Sequence, residues 1–374
     1  MELLALVLIA VLTARCTGVN SLRGERVFFW DRGIRLAGAN LAMDFQRPQA
    51  CAFVSHAHAD HFAKHQLALC TPETATLYLY RLATNRAGGR KLPKATPKVW
   101  TPEQIDDKHR VKKTPYLEPI DWGGLRLTAY PAGHCLGSAM LYVENPQLGK
   151  TLLYTGDFKL GASRTSREIV IPHADILIME STFGLPQHRL PPRDAVIADL
   201  LQKVRQVLTR HETPVLYAYS LGKSQEVTRI LLDDGLTIRQ HPAIFEISRI
   251  YEHHGVALGI QSGETLPLIP EQPVENGCVV ILPPFHSWKS QANQVRFAVT
   301  GWAIESGASY RFGVEESLPL SDHADYDDLI QMVRQVSPEI TYCTHGPLAF
   351  VDELNSLGFP ARPASRPWQQ RLFF

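Results

Sequence analysis

The chain has 374 residues, 45% of them hydrophobic and 20% charged, with a net charge of +1. That length accommodates two ordinary domains or one large domain with an insertion, and the balance excludes intrinsic disorder, collagen-like repeats and coiled coil. The near-neutral total also excludes a whole-molecule field that would draw nucleic acid, so any basic surface has to be local.

Leu3 to Leu12 is an unbroken apolar run, too short to span a bilayer but about right for a signal-peptide core. Its flanks disagree with export, because Glu2 stands where positive charge belongs and Arg15 before Cys16 spoils a small-residue cleavage site. Residues 1–22 are therefore read as an N-terminal extension or a wrongly assigned start, with export the minority reading. The six cysteines form no C-x-x-C pair, which fits a reducing, cytoplasmic compartment.

From about Arg23 the pattern is one of short apolar runs bounded by turn residues. Val27 to Trp30, Cys51 to Ser55, Leu125 to Tyr130, Ala139 to Val143, Thr151 to Tyr154 and Ile176 to Met179 read as strands, and Pro72 to Thr84 has helical spacing. After Gly184 a long helix is expected over Asp194 to Leu208, then a strand, Pro214 to Tyr219, and a helix, Lys223 to Leu232. Strands at Val279 to Leu282 and Val295 to Val299 complete a second, smaller α/β lobe. A helix over Tyr326 to Val336, a strand over Ile340 to Thr344 and a polar, Pro-containing tail close the chain. The class is layered α/β.

One loop carries the densest chemistry. Val54-Ser55-His56-Ala57-His58-Ala59-Asp60-His61 places H-x-H-x-D-H directly after a strand, so three imidazoles and a carboxylate crowd one turn. That donor mixture suits adjacent divalent cations, and further ligands should stand at later strand ends. His134 in Gly133-His134-Cys135, Asp157 in Thr155-Gly156-Asp157 and His345 in Thr344-His345-Gly346 all do.

With these motifs in order, the chain from about Arg23 onward resembles the metallo-β-lactamase superfamily. The resemblance implies an αββα sandwich with two zinc ions, manganese being a substitute: His56, His58 and His134 hold one, Asp60, His61 and His345 the other, and Asp157 bridges them. Ile178-Met179-Glu180-Ser181-Thr182-Phe183-Gly184, Leu320-Ser321-Asp322-His323-Ala324-Asp325-Tyr326 and Ile340 to His345 resemble three motifs of the β-CASP nucleases. This implies a β-CASP cap domain over residues 185–318, inserted between metallo-β-lactamase segments 23–184 and 319–374. It also implies that Asp60, Asp157, His323 and Glu180 are catalytic, His323 as general acid oriented by Glu180.

Glu180 to Pro186, Tyr219 to Gln225, Thr300-Gly301-Trp302 and Ser321 to Tyr326 resemble most the bacterial DNA-ligase-associated exonucleases. The expected activity is zinc-dependent hydrolysis of phosphodiester bonds, in DNA repair, on single-stranded or end-bearing DNA. The implied partner beyond the substrate is a DNA ligase, and no membrane is involved. An RNA-processing β-CASP ribonuclease is the alternative, and a small-molecule metallo-hydrolase the next.

Two weaker signals remain. Gly222-Lys223-Ser224 stands between strand and helix, where Lys223 and Ser224 could bind a substrate phosphate or simply start a helix. Between Arg81 and Lys113, ten basic residues face three acidic ones, either a strand-tracking groove or a solvated basic loop. Trp288 and Trp302 are read as core aromatics rather than base-stacking platforms.

Overall fold

The apolar runs become strands in a computed structural model that describes residues 27–85, 111–269, 272, 274–286, 288 and 293–364. The N-terminal run lies outside the described residues, as does the basic stretch except Arg81 to Asn85 and Val111 to Lys113. Two compact units divide the chain: the described residues up to Gly161 with Arg167–Leu185 and those from Asp327 onward, and Ala162–Ser166 with Pro186–Tyr326.

The first unit opens with β1 (Phe28–Trp30), β2 (Ile34–Leu36), β3 (Leu41–Met43), β4 (Cys51–Phe53) and β5 (Leu67–Cys70), then helix α1 (Pro72–Asn85) and β6 (Val111–Lys113). These six strands pair in chain order. A second sheet starts with β7 (Ile120–Trp122), β8 (Leu125–Pro131), β9 (Ala139–Asn145), β10 (Lys150–Tyr154) and β11 (Ile176–Glu180).

The chain then builds the second unit from α2 (Arg193–Thr209), β12 (Thr213–Tyr217), α3 (Lys223–Asp233), β13 (Thr237–Gln240), α4 (Pro242–His253), β14 (Thr265–Pro267), β15 (Cys278–Leu282), β16 (Gln294–Val299), α5 (Ala308–Phe312) and β17 (Glu316–Leu318). It returns with α6 (Tyr326–Val336), β18 (Ile340–Thr344), α7 (Leu348–Ser356) and β19 (Ala361–Pro363), which extend the second sheet to β19-β18-β11-β10-β9-β8-β7.

The two sheets of the first unit share one core. Leu36, Leu41, Met43, Phe53 and Leu69 from one sheet meet Leu127, Leu141, Val143, Leu152 and Ile178 from the other, all buried. In β8 the alternation Leu125 in, Arg126 out, Leu127 in is the period of a strand with one wet face, whereas β4 and β5 are buried throughout. Helix α1 lies against β6 and α7 against β19. The second unit has a parallel sheet of order β14-β13-β15-β12-β16-β17, whose strands are joined by right-sized helical crossovers at α3 and α4. Leu200 and Val204 of α2 and Val227 and Leu231 of α3 cover one face through Leu216, Ile281 and Phe297.

The polar tail expected after Thr344 is corrected, for it carries α7 and β19. Phe350, Val351 and Leu354 give α7 a narrow apolar face that buries its one side, too short to register as a periodic pattern. Trp288 packs against the small core of Val215, Val280 and Leu282, and Trp302 is half-buried beside His188. Among the described residues no helix is long and apolar enough to cross a membrane.

Candidate metal centre

The loop after β4 turns its three histidines inward. His56 is fully buried, and its Nε2 lies 3.0 Å from His58 Nδ1. His134, on the loop joining β8 and β9, reaches the same point, its Nε2 3.1 Å from His58 Nδ1. Asp157 follows β10, and its Oδ2 stands 3.4 Å from His56 Nε2 and 3.9 Å from His134 Nε2. Ligand atoms of His56, His58, His134 and Asp157 all lie within 4.8 Å of one another.

Two glycines make this approach sterically feasible. Gly156 takes φ +54, and a Cβ there would stand 2.5 Å from Ser55 Oγ. Gly137 takes φ +80 and would meet Thr74 N at 2.5 Å. Only glycine fits either position without displacement. The Gly137 carbonyl accepts from the Thr71 and Thr74 hydroxyls, each at 2.7 Å, while Ser138 Oγ accepts from the His134 and Cys135 amides at 3.2 and 3.1 Å. The His134 loop is thus tied to the start of α1.

The remaining predicted ligands lie around His61. His61 Nε2 is 3.2 Å from Asp157 Oδ2 and 3.8 Å from Asp60 Oδ2. His345 follows β18 at φ +52, an uncommon conformation for a residue with a Cβ, and its ring centroid is 5.6 Å from that of His61. All seven residues expected to bind metal therefore sit in the first unit, five of them buried or half-buried and Asp60 and His345 exposed.

Sequence reasoning missed the residue that organises them. Asp44, just after β3 at φ +47, buries its carboxylate and accepts from Ser55 N–H (2.8 Å), Ser55 Oγ (2.6 Å), Tyr154 Oη (2.8 Å) and His61 Nδ1 (3.0 Å). A carboxylate only accepts, so His61 carries a proton on Nδ1, which leaves Nε2 as the nitrogen that faces Asp157 and is available to a cation. Ser55 gives its own proton to Asp44, so its oxygen accepts from His56 Nδ1 at 2.9 Å, which leaves the His56 Nε2 lone pair facing the cluster. Asp44 fixes both tautomers in the form that binds a cation. A lone Asp after a three-residue strand carries no spacing signal; its tolerance of positive φ was the only available hint.

The donor set fits a divalent cation on its own chemistry. His56 Nε2 and His134 Nε2 compete for a single nitrogen of His58 beside a carboxylate oxygen, an arrangement short of protons that a metal ion would satisfy. Burial, and then the His61 charge, hold His56 well below the ordinary imidazole range, so it stays neutral as a ligand must. Burial pulls His61 the same way, but the Asp157 and Asp44 carboxylates outweigh it and raise His61 well above that range. Three imidazoles with carboxylates are zinc-type ligands, and the same set accepts manganese.

Glu180 ends β11 fully buried, its Oε1 accepting from Phe158 N–H at 3.0 Å and its Oε2 from the Thr182 hydroxyl. It thereby holds the residue after Asp157. Arg81 of α1 donates to Ala57 O at 2.6 Å and braces the histidine loop from behind. His323 belongs to the second unit, half-buried on the loop before α6, with its N–H donating to Ser321 Oγ at 3.0 Å. Lys223 and Ser224 begin α3 and are both fully buried.

Residues 311–358, which contain His323 and His345, match the family described as "Zn-dependent metallo-hydrolase RNA specificity domain". A probable DNA ligase of Opitutus terrae is 36% identical over 325 residues, 85% of this chain and 29% of that protein. Endoribonuclease YSH1 of Eremothecium gossypii is 31% identical over 196 residues, 48% of this chain and 25% of its own. An RNase J-like protein of Methanocaldococcus jannaschii is 31% identical over 185 residues, 48% of this chain and 42% of its own. In these matches the chain is similar to the metallo-β-lactamase/β-CASP family. It spans less than half the length of each of these three relatives. In keeping with a zinc-dependent hydrolase, the cluster around Asp157 is a group of residues that could hold a metal ion.

Proposed function

We propose that this chain is a zinc-dependent nuclease that hydrolyses phosphodiester bonds in DNA, as an exonuclease of the ligase-associated type acting in DNA repair. The observation that carries the reading is the convergence of His56, His58, His134 and Asp157, with His61 Nε2 3.2 Å from the same Asp157 oxygen. In this reading His56, His58 and His134 hold one zinc, Asp60, His61 and His345 the second, and Asp157 both. When bound, such an ion pair lowers the pKa of water and stabilises charge developing on the phosphate oxygens.

The protein's own residues do the rest. Asp44 keeps the His56 and His61 Nε2 atoms aimed, Glu180 holds the Asp157 segment through Phe158, and His323 delivers the proton that the departing sugar oxygen needs. Residues 186–326 correspond to the inserted β-CASP cap, expected over 185–318. Arg81, Lys112 and Lys113 are the described part of the basic stretch that tracks the strand.

DNA is preferred because the DNA-ligase-named relative is 36% identical over 85% of this chain, whereas a probable RNase of Methanocaldococcus jannaschii that covers 79% of it is 25% identical. The ligase-named match supports a working association with a DNA ligase. The match of residues 311–358 to an RNA specificity domain favours the second reading, an RNA-processing nuclease. Matched end-labelled DNA and RNA single strands, digested with zinc or manganese beside Asp157→Ala, separate the two. Stepwise shortening of DNA, absent in the variant, is expected; preferential RNA cleavage would move the chain to the RNA branch, and intact strands of both kinds would refute a nuclease.

A further inference from the structure

Lys223 buries its amino group. The side chain is 1% exposed, and its Nζ makes no hydrogen bond. Its charge is answered at 3.5 Å by Asp322 Oδ1 and at 3.7 Å by Glu226 Oε2. Burying an ammonium is costly unless its partners are fixed around it, so such a lysine is retained in one geometry or not at all.

Those partners belong to a wider frame within the second unit. Arg193 of α2 donates through Nη2 to Glu226 Oε1 and through Nη1 to Ser321 O at 2.9 Å. Ser321 Oγ accepts from His323 N–H, and Asp325 Oδ2 accepts from Leu190 N–H at 3.0 Å. The Arg189 guanidinium lies 4.5 Å from the centroid of the Tyr326 ring. The loop Leu320 to Tyr326 is therefore gripped from α2, from α3 and from the segment before α2, and two cations balance two carboxylates at its centre.

Lys223 is poorly disposed to meet a substrate phosphate. An incoming phosphate would have to reach a side chain with no exposure and displace two carboxylates from it. Ser224 is also committed, with its N–H donating to Tyr219 O at 3.0 Å and its hydroxyl to Ala218 O at 3.2 Å. We infer that Lys223 is a positioning residue, holding Asp322 so that the adjacent His323 presents its imidazole in one orientation for proton delivery, in place of the phosphate-binding role expected from sequence. The inference rests on the proton-donor role proposed for His323.

The test uses two phosphodiesters that differ in leaving group. One is a DNA strand, whose departing deoxyribose alcohol needs a proton; the other is the 4-nitrophenyl ester of thymidine monophosphate, whose phenolate leaves without one. Lys223→Met should lower kcat on DNA by about 30-fold, within the range of general-acid contributions, with KM nearly unchanged and the nitrophenyl ester losing little. Equal loss on both substrates would make Lys223 a general structural residue, and a raised KM with unchanged kcat would restore phosphate binding; either result overturns the inference.

Hydrogen exchange supplies a readout that does not depend on activity. In the zinc-loaded variant, amides of residues 320–325 should exchange faster than in the parent while β12 and β15 keep their protection; unchanged exchange in that loop would overturn the proposal. If Lys223→Met does not fold, Asp322→Asn should give the same leaving-group selectivity and the same local exchange. A parent protein inactive on both substrates would refute the nuclease reading, leaving the exchange result to decide the role of Lys223.

Discussion

In the first unit, His56, His58, His134 and Asp157 turn their donor atoms toward one point, and the His61 ring, held toward its charged form, stands 3.2 Å from Asp157. In the second, Lys223 and Arg193 are interleaved with Asp322 and Glu226, so the buried charges cancel among themselves. Both are buried polar clusters, yet one gathers four imidazoles around a single carboxylate and the other sets two cations against two carboxylates. The difference teaches how to read buried ionisable groups: a surplus of lone pairs points to a ligand, and a balanced set points to a frame.

The largest effect that could break this comparison is at Asp157. Asp157→Ala should lower hydrolysis by about a thousandfold or more and reduce bound zinc, because it removes the oxygen shared by His56, His61 and His134. Zinc content and strand digestion check it together; a near-normal rate would mean that the cluster is not the centre.

Asp44→Asn comes next. Asn tolerates the positive φ but adds an amide that cannot accept from every present donor, so zinc affinity should fall by about 10 to 100-fold. Competition against a coloured chelator measures this, and unchanged affinity would demote Asp44 to packing.

In the second unit, adding a proton should be costly where charges already balance. His241 caps α4 by accepting from Ala243 N–H at 3.2 Å, and burial together with the nearby His286 pushes it down to about 4. Above the ordinary value of about 6.5 the group is neutral folded or unfolded, so stability is flat there. As pH falls from 6.5 to 4 the unfolded chain takes the proton first, and stability should drop by about 2–3 kcal/mol. His241→Asn keeps a capping oxygen and should flatten that limb of a denaturation-versus-pH curve; an unaltered limb would place the titration elsewhere.

The smallest effect is at Gly156. Gly156→Ala strains a positive φ against Ser55 and should cost about 2 kcal/mol, seen as a lower Tm. The zinc-free protein should show the same loss if the strain is steric rather than metal-borne.

How much of this was legible depended on whether chemistry or geometry carried the signal. The runs at Leu125, Ala139, Ile176 and Ile340 and the helices at Pro72 and Tyr326 stood out because they are long and apolar on the right period. Strand β13 did not, since Thr237, Arg239 and Gln240 look like loop; Gln240 is buried, its Nε2 donating to Thr228 Oγ1 at 2.7 Å. The ligand histidines were visible as a crowd in one loop. Asp44 was not, and Lys223 stood out only as a candidate for phosphate, because what matters is where each side chain ends, and that is set by strands and helices distant in sequence.

The pairing of β11 with β18 has a consequence for how the chain is made. Ile178 meets Tyr342 and Met179 meets Cys343, so β11 keeps an open apolar edge until some 160 further residues have emerged, on the order of ten to thirty seconds of synthesis. Throughout that interval the second unit can form behind the ribosome, while the first remains a sheet awaiting its neighbour, the state in which strand edges are most prone to pair with the wrong chain. His345 arrives directly after β18, so closing that edge and bringing the His345 ring beside that of His61 are one event: the step that seals the sheet is also the step that delivers the last of the histidines.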